Sequence, residues 1–115
     1  MILEKVPYEG IYAPTLSTAF TINSSVATSG VSSSIQKSGS IVCMYLDINA
    51  TTSGTTLDVG TLADGYKTNR QFYLSGYDAT DNKAVLVWFN TSGVVRIYNA
   101  VNGHEYVIFA TYFSA

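Results

Sequence analysis

Residues 85–98 read VLVWFNTSGVVRIY, two apolar runs hinged on the polar tetrapeptide Asn90-Thr91-Ser92-Gly93. The runs are short and rich in β-branched and aromatic residues, which suits strands, and Gly93 supplies the positive-φ position of a tight turn. The stretch is therefore a β-hairpin. Alternation puts Val85, Val87 and Phe89 on one face and Leu86 and Trp88 on the other. A strand pair with one wet face alternates apolar with polar residues, yet here both faces are apolar. One set should fill the core of the chain and the other should meet a neighbouring subunit. The alternation leaves open which set does which, so Trp88 reads as core or as subunit interface.

The same doubling recurs elsewhere. Ile41–Asn49 is the clearest strand, with aliphatic Val42, Met44, Leu46 and Ile48 on one face and the mixed set Ile41, Cys43, Tyr45 and Asp47 on the other. In the last strand, Glu105–Phe113, residues Val107, Phe109 and Phe113 alternate with Tyr106, Ile108 and Tyr112. Contiguous apolar surface on an outward sheet face marks an interaction surface, so an oligomer packed sheet against sheet is expected. Arg96, between Val95 and Ile97, projects from the face opposite them, where a carboxylate across an interface would partner it. Trp88, Arg96, Tyr98, Tyr106 and Tyr112 are the candidate interface residues.

Working outward, Thr18–Ile22, Val31–Lys37, Thr55–Val59 and Gln71–Tyr77 read as further short strands, with Gly76 marking a bulge or a strand end. ATTSG at 50–54, DATDNK at 78–83 and NAVNG at 99–103 supply turns, and GTLADG at 60–65 is punctuated by Gly at both ends. No stretch of ten or more residues holds a helical period, and no internal repeat is evident. Six to eight strands with regular turns predict an all-β fold, an antiparallel sandwich or barrel. Residues 1–16, with Pro7 and Pro14, read as an extended arm or linker, and 17–115 as the β-sandwich domain.

Composition narrows the function. At 115 residues the chain is one domain, and its net charge of −2 offers no footprint for a phosphate backbone, so nucleic-acid binding is not expected. No apolar run approaches the roughly 18 residues that span a bilayer, and membrane insertion is not expected. The segment Met1-Ile2-Leu3-Glu4-Lys5 lacks the pattern of a secretory signal. The single cysteine, Cys43, lies in a strand and reads as an inert thiol.

From about Lys37 to Phe113 the chain resembles the C-terminal head domains of receptor-binding proteins from phage tail fibres and baseplates. KSGSIVCMYLDIN is similar to the family's polar, Gly-containing approach to an alternating strand. GTLADGY, Gly60 to Tyr66, looks like its G-x-L-x-x-G-[YF] segment, and QFYLSGY fills the next strand. VLVWFNTSGVVRIYN resembles the family hairpin, and IFATYF its closing strand. Ala63 and Thr68 stand where family members often carry Pro, while Lys67 supplies the basic residue after the aromatic. The resemblance implies a β-sandwich head, trimeric about a long axis, that recognises saccharide on a bacterial surface. It also implies a place on the virion, at the tip of a tail fibre or baseplate beside other tail proteins, after synthesis in the host cytoplasm without a signal peptide. Two other classes stay open: a structural particle protein without a glycan ligand, and a free-standing carbohydrate-binding module.

Sugar recognition needs an aromatic platform beside directional polar groups. Tyr77-Asp78 with Asp81-Asn82 puts that kit in one loop, and Arg70, Asn102 and His104 are further candidates. His104 is the single histidine, read as a solvated side chain after a turn. A Ser–His–Asp set can be assembled on paper, but no G-x-S-x-G elbow is present and no catalytic activity is expected. Asp64, Asp78, Asp81 and Asn82 could crowd oxygens around a cation, but DATDNK lacks the alternating ligands and terminal Glu of a calcium loop. No metal and no cofactor are expected. Asn23, Asn49 and Asn90 each begin an N-x-[ST] triplet, matches that chance supplies in so polar a chain.

Overall fold

The structure, a computed structural model, describes residues 11–12, 16–28 and 33–115. Most of the expected arm, 1–16, and the start of the expected strand Val31–Lys37 lie outside the described residues. The strands are β1 (Ile11–Tyr12), β2 (Phe20–Ile22), β3 (Val26–Thr28), β4 (Ser34–Ser38), β5 (Ile41–Ala50), β6 (Gly54–Leu62), β7 (Phe72–Asp78), β8 (Lys83–Phe89), β9 (Val94–Ala100) and β10 (Glu105–Phe113). One helical turn, α1 (Leu16–Ala19), precedes β2 and takes up Thr18 and Ala19, which alternation alone assigns to a strand.

All strand pairs are antiparallel, in the order β1-β4-β5-β10-β7-β8-β9-β6-β2, with β3 also on β5. The result is a nearly closed, barrel-like sheet. Its two halves join where β10 meets β7 through only two register pairs, Tyr106↔Asp78 and Val107↔Tyr77. A second link lies beyond the other end of β10, where Thr68 bridges Ser114 and the Asn69 amide donates to the Phe113 carbonyl.

The opening hairpin resolves at once. Val87 and Phe89 are fully buried and Val85 nearly so, whereas Leu86 is 47% exposed. From β5, the aliphatic set Val42, Met44, Leu46 and Ile48 points inward. Phe89 stacks on Phe72 at 4.9 Å, and Tyr112 leans on both rings at 5.5 and 5.7 Å. Burying one such aromatic side chain stabilises the fold by about 1.5–3 kcal/mol.

β10 reverses one expectation. Tyr106 and Tyr112, expected at a subunit interface, face the chain's own core and are buried. Their hydroxyls explain this placement. The Val101 amide donates to Tyr106 Oη at 2.8 Å, and Tyr112 Oη donates to the Tyr66 carbonyl at 2.7 Å. Each phenol thus buries its ring and satisfies its polar tip against backbone. Burial raises both phenol pKa values. The residues left outside are Phe109 and Phe113.

Two glycines are there for close approach. Register slips between Asp58 and Gly60 on β6, and a Cβ at Gly60 would lie 2.4 Å from the Thr21 carbonyl oxygen and 2.5 Å from the Phe20 ring. Gly76, expected to mark a bulge or strand end, instead sits within a regular β7–β8 ladder, where a Cβ would come 2.8 Å from Val87 Cγ2. Gly93 has φ +95°, the left-handed conformation its place in the hairpin turn demands.

Candidate functional site

The outer face of the barrel carries one cross-strand row built by register. Tyr73 pairs with Trp88, Trp88 with Arg96, and Arg96 with Asp58, so four adjacent strands each contribute one side chain. Tyr73 stacks near Trp88 at 6.3 Å, and Tyr98 leans on Tyr73 at 6.5 Å. The Arg96 guanidinium lies 4.9 Å from the Trp88 ring centre, and its Nε donates to Asp58 Oδ1 at 2.6 Å. That hydrogen bond, against the opposing effect of burial, holds the guanidinium above its ordinary pKa. The carboxylate partner expected across an interface is thus Asp58 of the same chain. Trp88, Arg96 and Tyr98 do lie on the outward face, half-buried. The Trp88 indole N–H is shielded from solvent and meets no acceptor among the described residues.

On the other half of the barrel, Ile41, Phe109 and Phe113 form a second outward apolar cluster, with Phe109 68% exposed. Phe113 pairs with Ile41 and Phe109 with Tyr45, which places all four on the outer side of β5 and β10. Cys43 is half-buried on the same face and accepts a hydrogen bond from Thr111 Oγ1 at 3.6 Å.

One end of the barrel gathers most of the expected ligand residues. The β7–β8 turn brings Tyr77, Asp78, Asp81 and Asn82 together, and the β9–β10 turn adds Asn102 and His104. Asp78 is fully buried and serves the turn itself. Its Oδ1 accepts the amides of Thr80 at 3.0 Å and Asp81 at 2.9 Å, while Oδ2 lies 2.9 Å from His104 Nδ1. Burial alone would raise the Asp78 carboxyl pKa, but hydrogen bonds from His104 and the two amides hold it below 3.8. His104 is therefore no solvated side chain. It stacks on Tyr106 at 6.4 Å and ties the two turns together. Two backbone links reinforce the tie, Ala79 N–H to the Glu105 carbonyl and Glu105 N–H to Thr80 Oγ1, both 2.9 Å.

Tyr77, Asp81, Asn82 and Asn102 keep exposed side chains on this rim. The Tyr77 hydroxyl donates to Asn82 Oδ1, and Asn82 itself holds the left-handed conformation, φ 58°. The Asn102 amide donates to Ser53 Oγ at 2.7 Å, which fixes the neighbouring turn. Arg70 does not join them. It precedes β7, and so lies at the opposite end of that strand, beside a recess lined by Thr68, Gln71, Phe72, Tyr112 and Phe113. Asp64, grouped with these acids on paper, pairs with Lys67 at 3.0 Å instead.

Sequence reasoning left two acids on the outer side without a partner, Asp58 and Asp47, although alternation already puts Asp47 on the mixed face of its strand. Asp58 is legible only once β6 and β9 are known to pair. Asp47, nearly buried on β5, hydrogen-bonds Glu105, and that bond raises the Glu105 pKa.

No family model matches the chain, and no curated protein matches it. Among solved structures, the crystal structure of the head domain of lactococcal phage bIL170 aligns with a TM-score of 0.66 at 19% sequence identity, covering 84% of this chain and 96% of that one. This chain has the phage head-domain fold. The bIL170 structure was presented with the question of whether the receptor-binding domains of lactococcal phages share a common fold. The resemblance carried by KSGSIVCMYLDIN, GTLADGY and the hairpin is thereby borne out at the level of fold. At this identity the roles of side chains in the head domain rest on its own geometry.

Proposed function

We propose that this chain is a non-catalytic receptor-binding head carried on a phage virion, recognising saccharide on the surface of a bacterial host. The observation that supports this most is the alignment with the bIL170 head domain over nearly the whole of both chains. The rim formed by Tyr77, Asp81, Asn82 and Asn102 offers an aromatic ring beside directional amide and carboxylate groups, the kit that packs on sugar C–H faces and pairs with hydroxyls. Behind this rim His104 Nδ1 lies 2.9 Å from Asp78 Oδ2 and braces the two turns that carry it.

The head acts as a homotrimer, seated on other proteins of a tail fibre or baseplate. A two-fold dimer joins one patch to its own copy, whereas a closed ring joins two different patches. The outer face carries two such patches on different halves of the barrel, Tyr73, Leu86 and Trp88 on one and Ile41, Phe109 and Phe113 on the other. A ring of three also multiplies weak sites, since a second head that engages the same surface does so at high effective concentration.

A glycan array probed with the multimerised domain, alongside adsorption to candidate host cells, tests the reading. Binding that falls when Tyr77→Ala or Asn102→Ala is introduced supports it. An avid multimer that binds neither glycans nor cells overturns it and leaves a purely structural role on the particle.

A further inference from the structure

Among the described residues, one mixed set of metal-ligating side chains converges: Asp78 at the end of β7, Asp81 in the turn after it, and His104 in the turn before β10. One donor atom from each lies within 4.8 Å of the others. His104 Nδ1 is 2.9 Å from Asp78 Oδ2 and 4.0 Å from Asp81 Oδ2. We propose that these three side chains bind one divalent first-row transition ion, of the zinc, nickel or manganese kind, that clamps the β7–β8 turn to the β9–β10 turn.

The donor set points to that class of ion. One imidazole nitrogen with two carboxylate oxygens suits zinc and its neighbours, whereas calcium and magnesium favour oxygen alone. An ion about 2.0–2.2 Å from each donor sets tetrahedral donors about 3.3–3.6 Å apart. The two separations from His104, 2.9 and 4.0 Å, bracket that spacing, so Asp78 and the imidazole part by roughly 0.5 Å while the Asp81 side chain, 48% exposed, closes by about as much.

The other two ligands are already aimed. Both turn amides hold Oδ1 of Asp78, so Oδ2 faces the imidazole. The His104 ring is backed by Tyr106, itself anchored by the Val101 amide. Such outer partners orient first ligands and commonly change metal affinity by about 10- to 100-fold. The links between the two turns, Ala79 N–H to the Glu105 carbonyl and Glu105 N–H to Thr80 Oγ1, keep the three donors beside one another.

Charge and protons balance. Two carboxylates neutralise the dication, and Lys83, exposed and 3.7 Å from Asp81, can swing away. With neutral imidazole, the proton that Nδ1 shares with Asp78 transfers through solvent to Nε2, and none is released overall.

The test is titration of the whole chain with Zn²⁺ and separately Mn²⁺ in metal-stripped buffer without saccharide, followed by calorimetry and by NMR of the histidine ring. One ion per chain is expected, with affinity weakened roughly tenfold or more by Asp81→Asn and by His104→Gln. The ring signals should report Nδ1 ligation with the proton on Nε2. Asp81→Asn changes an exposed side chain and keeps the variant folded even if His104→Gln loosens the turns. Absence of saturable binding into the millimolar range overturns the proposal, as does binding that neither variant weakens. The receptor-binding proposal stands or falls separately, because no glycan enters the titration.

Discussion

The two faces of β10 sort their aromatic residues against simple polarity. Tyr106 and Tyr112, with hydroxyls, are buried; Phe109 and Phe113, with none, are 68% and 58% exposed. A hydroxyl therefore does not mark the outer face of this sheet. What decides is whether a backbone partner waits inside, and both tyrosines have one. The phenylalanines have no such tie, and their exposure leaves apolar area for another molecule to cover. β8 repeats the contrast with simpler chemistry, Val87 and Phe89 inside and Leu86 outside.

The largest break of this contrast comes from the inner face. Phe89→Ala removes a ring stacked on Phe72 and Tyr112, and is expected to cost about 3–5 kcal/mol, a large part of the stability of a domain this size. Urea denaturation followed by tryptophan fluorescence measures it. A loss below about 1 kcal/mol would mean that the core is not packed as described. Next comes Gly60→Ala, where the new methyl meets the Thr21 carbonyl and the Phe20 ring. An expected cost of about 1–3 kcal/mol should lower the urea midpoint with an unchanged slope.

Tyr112→Phe sharpens the comparison most cleanly. It deletes only the donor to the buried Tyr66 carbonyl and should cost about 1–3 kcal/mol, whereas adding a hydroxyl at the outer face by Phe109→Tyr should stay within about 0.5 kcal/mol. Equal effects at the two positions would erase the distinction between the faces. The smallest effect belongs to the outer ion pair. Asp58 and Arg96 are partly solvated, with side chains 41% and 29% exposed, so Asp58→Asn should cost no more than about 1 kcal/mol.

Much of the fold is legible in residue alternation, because period-two patterning follows from strand geometry itself. It places the hairpin at 85–98, the long strand at 41–49 and the final strand. What it does not place are elements too short to show a period: β1, β3 and the helical turn at Leu16–Ala19. It also misreads the face of Tyr106 and Tyr112, since the hydroxyl's partners lie 5 residues away for one and 46 for the other. The rim is half legible. Tyr77, Asp78, Asp81 and Asn82 lie within one turn, and proximity in sequence suffices to group them. His104 joins through the β7–β10 pairing, which brings residues 26 apart into contact, and Arg70 leaves the group because a strand runs between it and the turn.

The outer face carries the central claim, that its two aromatic patches are covered by further copies of this chain. Sedimentation equilibrium of the domain at micromolar concentration tests it most directly, with Phe109→Glu as the paired variant. A trimer is expected for the natural sequence, and a folded monomer with an unchanged urea midpoint for the variant. A natural chain that sediments as a monomer would contradict the claim, and so would a trimer that Phe109→Glu and Trp88→Glu both leave intact.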